Sequence, residues 1–300
     1  MALDSGNLSV LALLDLSAAF DSIDHGTLLQ RLRTPYSIGG TVFDWIASYL
    51  SNRTQYVRLA GTSSAPSSVG SIQLPQGSVL GPLFFILYAA DLQKLIENHR
   101  LTPHAYAHDT QIYGSCRPSE VGNLAQRMSI CIDEVSQWMK ANRLQLNQSK
   151  TEVIWFSSPR RQHQIPSDPV RNGSTHVLPV STVRDLGVYI DADVSMKKHI
   201  SMTVRSCYAA LRQIRIVRRC LPRHAPLTLI RALVVSEVDY CNSILTGLTG
   251  NQLDRLQSVL NAAARMVFSA RKYDHITPLL RELLWRKVAE RINFKLCVLT

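Results

Sequence analysis

Residues 9–14 form an apolar run of strand length that stops at a carboxylate, Asp15, which predicts a buried strand with an acid at its end. Residues 24–32 and 42–50 place apolar side chains at helical spacing, with Trp45 and Tyr49 on the second helix. Alternation returns at 55–59 and again at 69–74, on either side of a polar loop at 61–68, and predicts a hairpin of those two strands. A turn at Pro75-Gln76-Gly77 then opens a helix over 78–97. Residues 103–113 are too short and too rich in Tyr, Thr and Ile for a helix, and read as two small strands joined at His108-Asp109.

Farther along, Leu124, Met128, Cys131, Ile132, Val135 and Met139 recur near helical spacing and predict a long amphipathic helix over 120–141, followed by a strand at 151–156. Residues 160–176 are polar, Pro-containing and without period, which predicts a surface loop. The run 186–190 completes the β part. After Met196 the pattern becomes helical throughout, over 197–219, 227–235, 252–268 and 279–299, punctuated by Pro222, Pro226, Gly247, Gly250 and Pro278. The fold class expected is α+β: a small antiparallel sheet backed by helices over 1–195, then an all-helical region over 196–300.

Composition narrows the class. A 300-residue chain that is 46% hydrophobic can bury one large core or two ordinary ones, which excludes a disordered tail. The apolar run 8–14 has no basic leader, and the run 79–90 contains Gly81 and Pro82 and is too short to span a bilayer, so a soluble intracellular protein is expected. Six scattered cysteines with no Cys-x-x-Cys pair suit reduced thiols better than a disulfide framework or a zinc finger. The net charge of +11 is concentrated at one end: residues 201–300 carry 16 basic and 6 acidic side chains, residues 1–120 carry 7 and 9. Arg-rich helices are either a phosphate-binding surface or a solvated face.

Chemistry enters with Asp15. An acid at the end of a buried strand is rigid enough for a metal ligand; the competing role is a helix N-cap, for which Ser17 and Asp24 are rivals. Three stretches then belong together: Leu13-Leu14-Asp15-Leu16-Ser17-Ala18-Ala19-Phe20-Asp21, Leu74-Pro75-Gln76-Gly77-Ser78-Val79-Leu80-Gly81-Pro82, and Ala105-Tyr106-Ala107-His108-Asp109-Thr110. In this order they resemble the polymerase signatures of reverse transcriptases, most closely those of non-LTR (LINE-type) retrotransposons. The resemblance covers almost the whole chain. It implies a palm over 1–195, a thumb-like helical region over 196–300, and RNA-directed DNA synthesis by two-metal nucleotidyl transfer with Mg²⁺ or Mn²⁺. It also implies an RNA template, a DNA primer and dNTPs as partners, with no membrane.

Carried over by residue, the resemblance makes Asp15 and Asp109 metal ligands and Phe20 the aromatic that blocks a ribonucleotide 2′-hydroxyl. Gln76 and Gly77 become the turn that meets template and incoming nucleotide. Residues 147–152 resemble the fourth signature, in which Lys150 faces the triphosphate, and Leu186-Gly187-Val188 resembles the segment that grips the primer end. Each has a plainer reading: Phe20 as a core aromatic, the Pro-Gln-Gly turn as a loop, Lys150 as a surface lysine.

The match breaks at His108, which stands where the family has the first of two aspartates. Imidazole removes a negative charge and a hard oxygen donor, so weakened Mg²⁺ binding and little polymerisation are expected. The chain opens fourteen residues before Asp15, which suggests a fragment or decayed copy without most of the fingers. Two rivals follow: a non-catalytic RNA- or DNA-binding remnant, and a zinc site using His104 and His108, which requires a helix there.

Overall fold

The structure is a computed structural model that describes residues 3–300 apart from Gln76, His108, Gly173, Ser174, Arg223 and the side chain of Gln148. The chain divides into two compact units, Met1–Ser181 and Thr182–Thr300.

The first unit is built on a five-stranded sheet in the order Pro179–Val180, Glu152–Phe156, Leu8–Leu14, Asp109–Cys116, Thr102–Tyr106. Its pairings are antiparallel except the short edge strand Pro179–Val180, which runs parallel to Glu152–Phe156. Leu8–Leu14 takes the centre because both of its faces are apolar: Leu8, Val10, Ala12 and Leu14 are buried on one, and Leu11 on the other. The first face joins Ile112, Val153 and Trp155 in one core with the helices Leu80–Asn98 and Val121–Ala141. The six apolar positions at helical spacing in Val121–Ala141 are all fully buried. That helix stops because Arg143 turns left-handed at φ 59° and the Leu144 N–H returns to Met139 O at 2.8 Å.

Asp24 caps the helix His25–Arg33: its Oδ1 accepts from the Thr27 N–H and hydroxyl, each at 2.8 Å, while Arg143 lies 2.7 Å from Oδ2. The Thr27 N–H and, behind it, the Thr27 hydroxyl and the Arg143 charge outweigh burial and hold this carboxyl below its usual range. Asp24→Ala should therefore lower stability by about 1 kcal/mol at neutral pH, read as a shift in urea midpoint. The folded pKa lies below the unfolded one, so the contribution is complete above about pH 4 and is lost as pH falls through the folded value. The deficit of the Ala variant should shrink in the same acid range.

Three local expectations are corrected. The hairpin does not join 55–59 to 69–74. Arg58–Leu59 pairs with Thr62–Ser63, and Thr54–Gln55 with Ser67–Ser68, because Ala60 and Gly61 both take positive φ (48° and 86°) and make the tight turn that matches strand twist. Residues 71–74 instead lie along 20–25, where the Leu74 N–H donates to Phe20 O at 2.7 Å and the Gln73 N–H to Ile23 O at 3.1 Å. Leu74 is fully buried there. The stretch 160–176 is not all loop: Val170–Asn172 pairs with Thr175–Val177, buries Val170 and Asn172, and sets Arg171 2.5 Å from Asp133 on the helix.

The third correction lies in the second unit, where the predicted helix 279–299 is two helices, Ile276–Glu282 and Val288–Leu299. Leu284 adopts φ 57°, the Trp285 N–H bonds Leu280 O at 2.8 Å, and Trp285 and Leu280 both enter the core. Burying the indole ends the helix without a glycine. The remaining helices include Lys197–Val217 and Gly250–Phe268. The run 186–190 is part of a separate hairpin, Thr182–Asp185 with Val188–Asp191, whose Val188 packs into this helical core. Its turn residues Leu186 and Gly187 both have positive φ (44° and 87°). All six cysteines are free. Among the described residues no helix is long and apolar enough to cross a membrane.

Candidate active site

The last paired residues of the two central strands are Leu14 and Thr110. Asp15 directly follows Leu14 at the end of one strand and Asp109 directly precedes Thr110 at the start of the other, so the two acids lie at adjoining strand ends. Alternation puts both acids on the side of Ser9, Leu11 and Leu13, away from the helical layer that buries Val10, Ala12 and Leu14. Neither is an N-cap; the first helix is capped by Asp24.

Lys150 reaches the same place from another element. Asn147 N–H donates to Asp15 O at 2.8 Å, and Asn147 Oδ1 accepts from the Ser149 N–H and hydroxyl at 3.2 and 2.7 Å. This Asx turn folds 147–150 into one tight turn and brings Lys150 Nζ to 3.1 Å from Asp15 Oδ2. The lysine side chain is 66% exposed and the aspartate 25%, so the ammonium closes the outer side of the carboxylate.

A second cluster forms around Phe20. Ala18 turns left-handed at φ 47°, and Ala19–Ser22 is a single turn of 3-10 helix that sets the half-buried Phe20 ring 5.8 Å from Phe85, tilted by 55°. A Cβ on Gly81 would lie 3.6 Å from that ring and 3.2 Å from Pro75 O. Gly77 has φ 76° and open space around it, so the backbone bend, rather than a close neighbour, requires glycine. The helix expected from Ser78 begins at Leu80, because Ser78 serves the turn: its hydroxyl donates to Pro75 O at 2.7 Å and accepts from the Gly81 N–H at 3.0 Å. Sequence reasoning missed Ser78 and Gly81 as the parts that hold this turn, though a serine just before a helix is a capping signal.

Gln76 and His108 lie outside the described residues. His104 sits on the strand Thr102–Tyr106 opposite Gln111, so the helical spacing that a zinc site requires is missing. Among the described residues no three or more His, Cys, Asp or Glu side chains gather to hold a metal. Two carboxylates at adjoining strand ends nevertheless suit Mg²⁺, which takes one or two carboxylates and keeps several waters.

Residues 2–190 match the family model described as reverse transcriptase (RNA-dependent DNA polymerase). The chain belongs to the reverse transcriptase family. Among curated proteins it is 27% identical over 292 residues to a probable RNA-directed DNA polymerase from transposon BS of Drosophila melanogaster, covering 93% of this chain and 31% of the relative. It is 25% identical over 300 residues to the corresponding protein of transposon X-element from the same fly, covering 97% and 32%. The chain thus spans about a third of the length of these relatives. Among solved structures, Candida albicans telomerase in complex with a fragment of telomeric RNA superposes with a TM-score of 0.49 at 11% identity, covering 95% of this chain and 44% of that one. Its relatives make this a LINE-type reverse transcriptase sequence, with the family's α+β sheet-and-helix architecture.

Proposed function

We propose that this chain carries the palm and thumb-like parts of a LINE-type RNA-directed DNA polymerase, acting on an RNA template, a DNA primer and dNTPs. The observation that supports the proposal is the register of Leu14 with Thr110, the residues next in the chain to Asp15 and Asp109. In this role the two carboxylates hold Mg²⁺ or Mn²⁺, and a divalent ion bound there supplies charge neutralisation for phosphoryl transfer. Phe20 limits the space beside the nucleotide sugar. The turn at Gln76 and Gly77, braced by Ser78, orients template and incoming nucleotide. Lys150, mostly exposed, exchanges Asp15 for the triphosphate. The turn Leu186-Gly187-Val188 meets the primer end, and the Arg-rich helices supply phosphate contacts.

His108 lowers the activity of this copy. Histidine in the sequence position where the family has an aspartate, with Asp15 already matched by Lys150, favours a second role as a binding remnant that holds nucleic acid without extending it. Purified protein on a primed RNA distinguishes them. Binding that weakens steeply between low and moderate salt, with at most trace Mg²⁺-dependent extension, is the expected result. Full extension by the chain as written would overturn the impairment. Failure both to bind and to extend would overturn the functional proposal.

A further inference from the structure

Within the second unit, the break between Ile276–Glu282 and Val288–Leu299 opens a cavity of about 390 Å³. That volume lies inside the roughly 300–1,000 Å³ of small-molecule sites. Its wall is cationic: Arg286, Arg291 and Lys295 line it, and Asp239 matches one of these charges through Arg291 at 2.5 Å. The Arg286 guanidinium lies 4.7 Å from the Phe294 ring centroid, which steadies the ring, yet Phe294 remains 54% exposed. Asn242 completes the lining and is only 5% exposed. Its Nδ2 donates to Asp239 Oδ1 at 3.4 Å, and since a carboxylate cannot donate, this fixes the amide's orientation. Asn242 Oδ1 is thereby left buried with no partner among the described residues, so the amide is a fixed part of the wall.

Cations for phosphate oxygens beside an exposed aromatic face for a flat ring describe one chemical class. We propose that this cavity is a nucleotide-binding site: Arg286 and Lys295 hold the phosphate and Phe294 stacks on the base. The occupant is either an unpaired residue of an RNA strand or a free nucleotide, which present the same groups. None of these residues belongs to the Asp15–Asp109 site, so the proposal stands or falls apart from the polymerase assignment.

The test is titration of the full chain with AMP, with ribose 5-phosphate and with an unstructured hexaribonucleotide. Arg286→Gln and Lys295→Gln, both surface changes, should each weaken AMP binding by about tenfold. Phe294→Ala should weaken AMP by a similar factor and leave ribose 5-phosphate unchanged. Lys94→Gln, an exposed lysine on Leu80–Asn98, should change nothing, and all four variants should keep the parent's thermal midpoint. A hexaribonucleotide that displaces AMP identifies an RNA residue as the occupant; saturable AMP binding without displacement identifies a free nucleotide. Absence of saturable AMP binding, equal binding of ribose 5-phosphate, or parental affinity in Phe294→Ala and Arg286→Gln would overturn the site.

Discussion

His108→Asp should bind Mn²⁺ at least about tenfold more tightly than the chain as written, measured by calorimetry in the absence of nucleic acid. The substitution adds a hard oxygen donor and a negative charge next in the chain to Asp109, whose neighbour Thr110 pairs with Leu14, the residue before Asp15. A third carboxylate also competes with Lys150, whose ammonium now faces Asp15 Oδ2 at 3.1 Å. Asp15→Asn introduced into the His108→Asp chain should cancel the gain, because it removes the ligand from the neighbouring strand. Primer extension on RNA should rise in the same order: lowest in the parent and in the double variant, highest in His108→Asp. Equal Mn²⁺ affinity in all three chains would mean that positions 15, 108 and 109 do not share one ion.

The largest stability effect is expected at Trp155. It is 1% exposed on Glu152–Phe156, opposite Val10 of the central strand, and is the largest fully buried side chain of the core. Trp155→Ala should cost about 3–5 kcal/mol, from lost transfer energy and the cavity left behind, seen as a large fall in the urea midpoint. Trp155→Phe should cost much less. The indole Nε1 is buried without a partner among the described residues, so phenylalanine removes an unmatched donor while keeping most of the ring. A Phe variant as unstable as the Ala variant would show that the indole N–H is satisfied in solution.

How far the chain could be read in advance depended on where the physical signal lies. The helix Val121–Ala141 was legible because its six core residues repeat at helical spacing, and the strand at 8–14 because its run is apolar and ends in an acid. The hairpin at 54–68 was not legible from alternation. Its Tyr56, Val57 and Leu59 are 61%, 72% and 78% exposed, so no buried face enforced the pattern, and the turn at Ala60-Gly61 set the pairing instead. The break at Leu284 carried no glycine or proline signal, since burial of Trp285 supplied it.

For the candidate site the division is similar. The ordered signatures around Asp15, Phe20, Gln76, Gly77, His108, Asp109 and Lys150 placed the chain in its family, because a reacting centre needs particular residue types at positions that local sequence records. Which of them meet was a tertiary matter. Asp15 and Asp109 are 94 positions apart in the numbering, and only the antiparallel register of Leu14 with Thr110 brings the two strand ends that carry them together. The ion pair of Lys150 with Asp15 and the cavity beside Arg286 likewise arise from packing between segments that share no local pattern. The linear order of side chains was sufficient for the kind of chemistry and for the helices and strands with a buried face; distances between charged groups came from how those elements close on a common core.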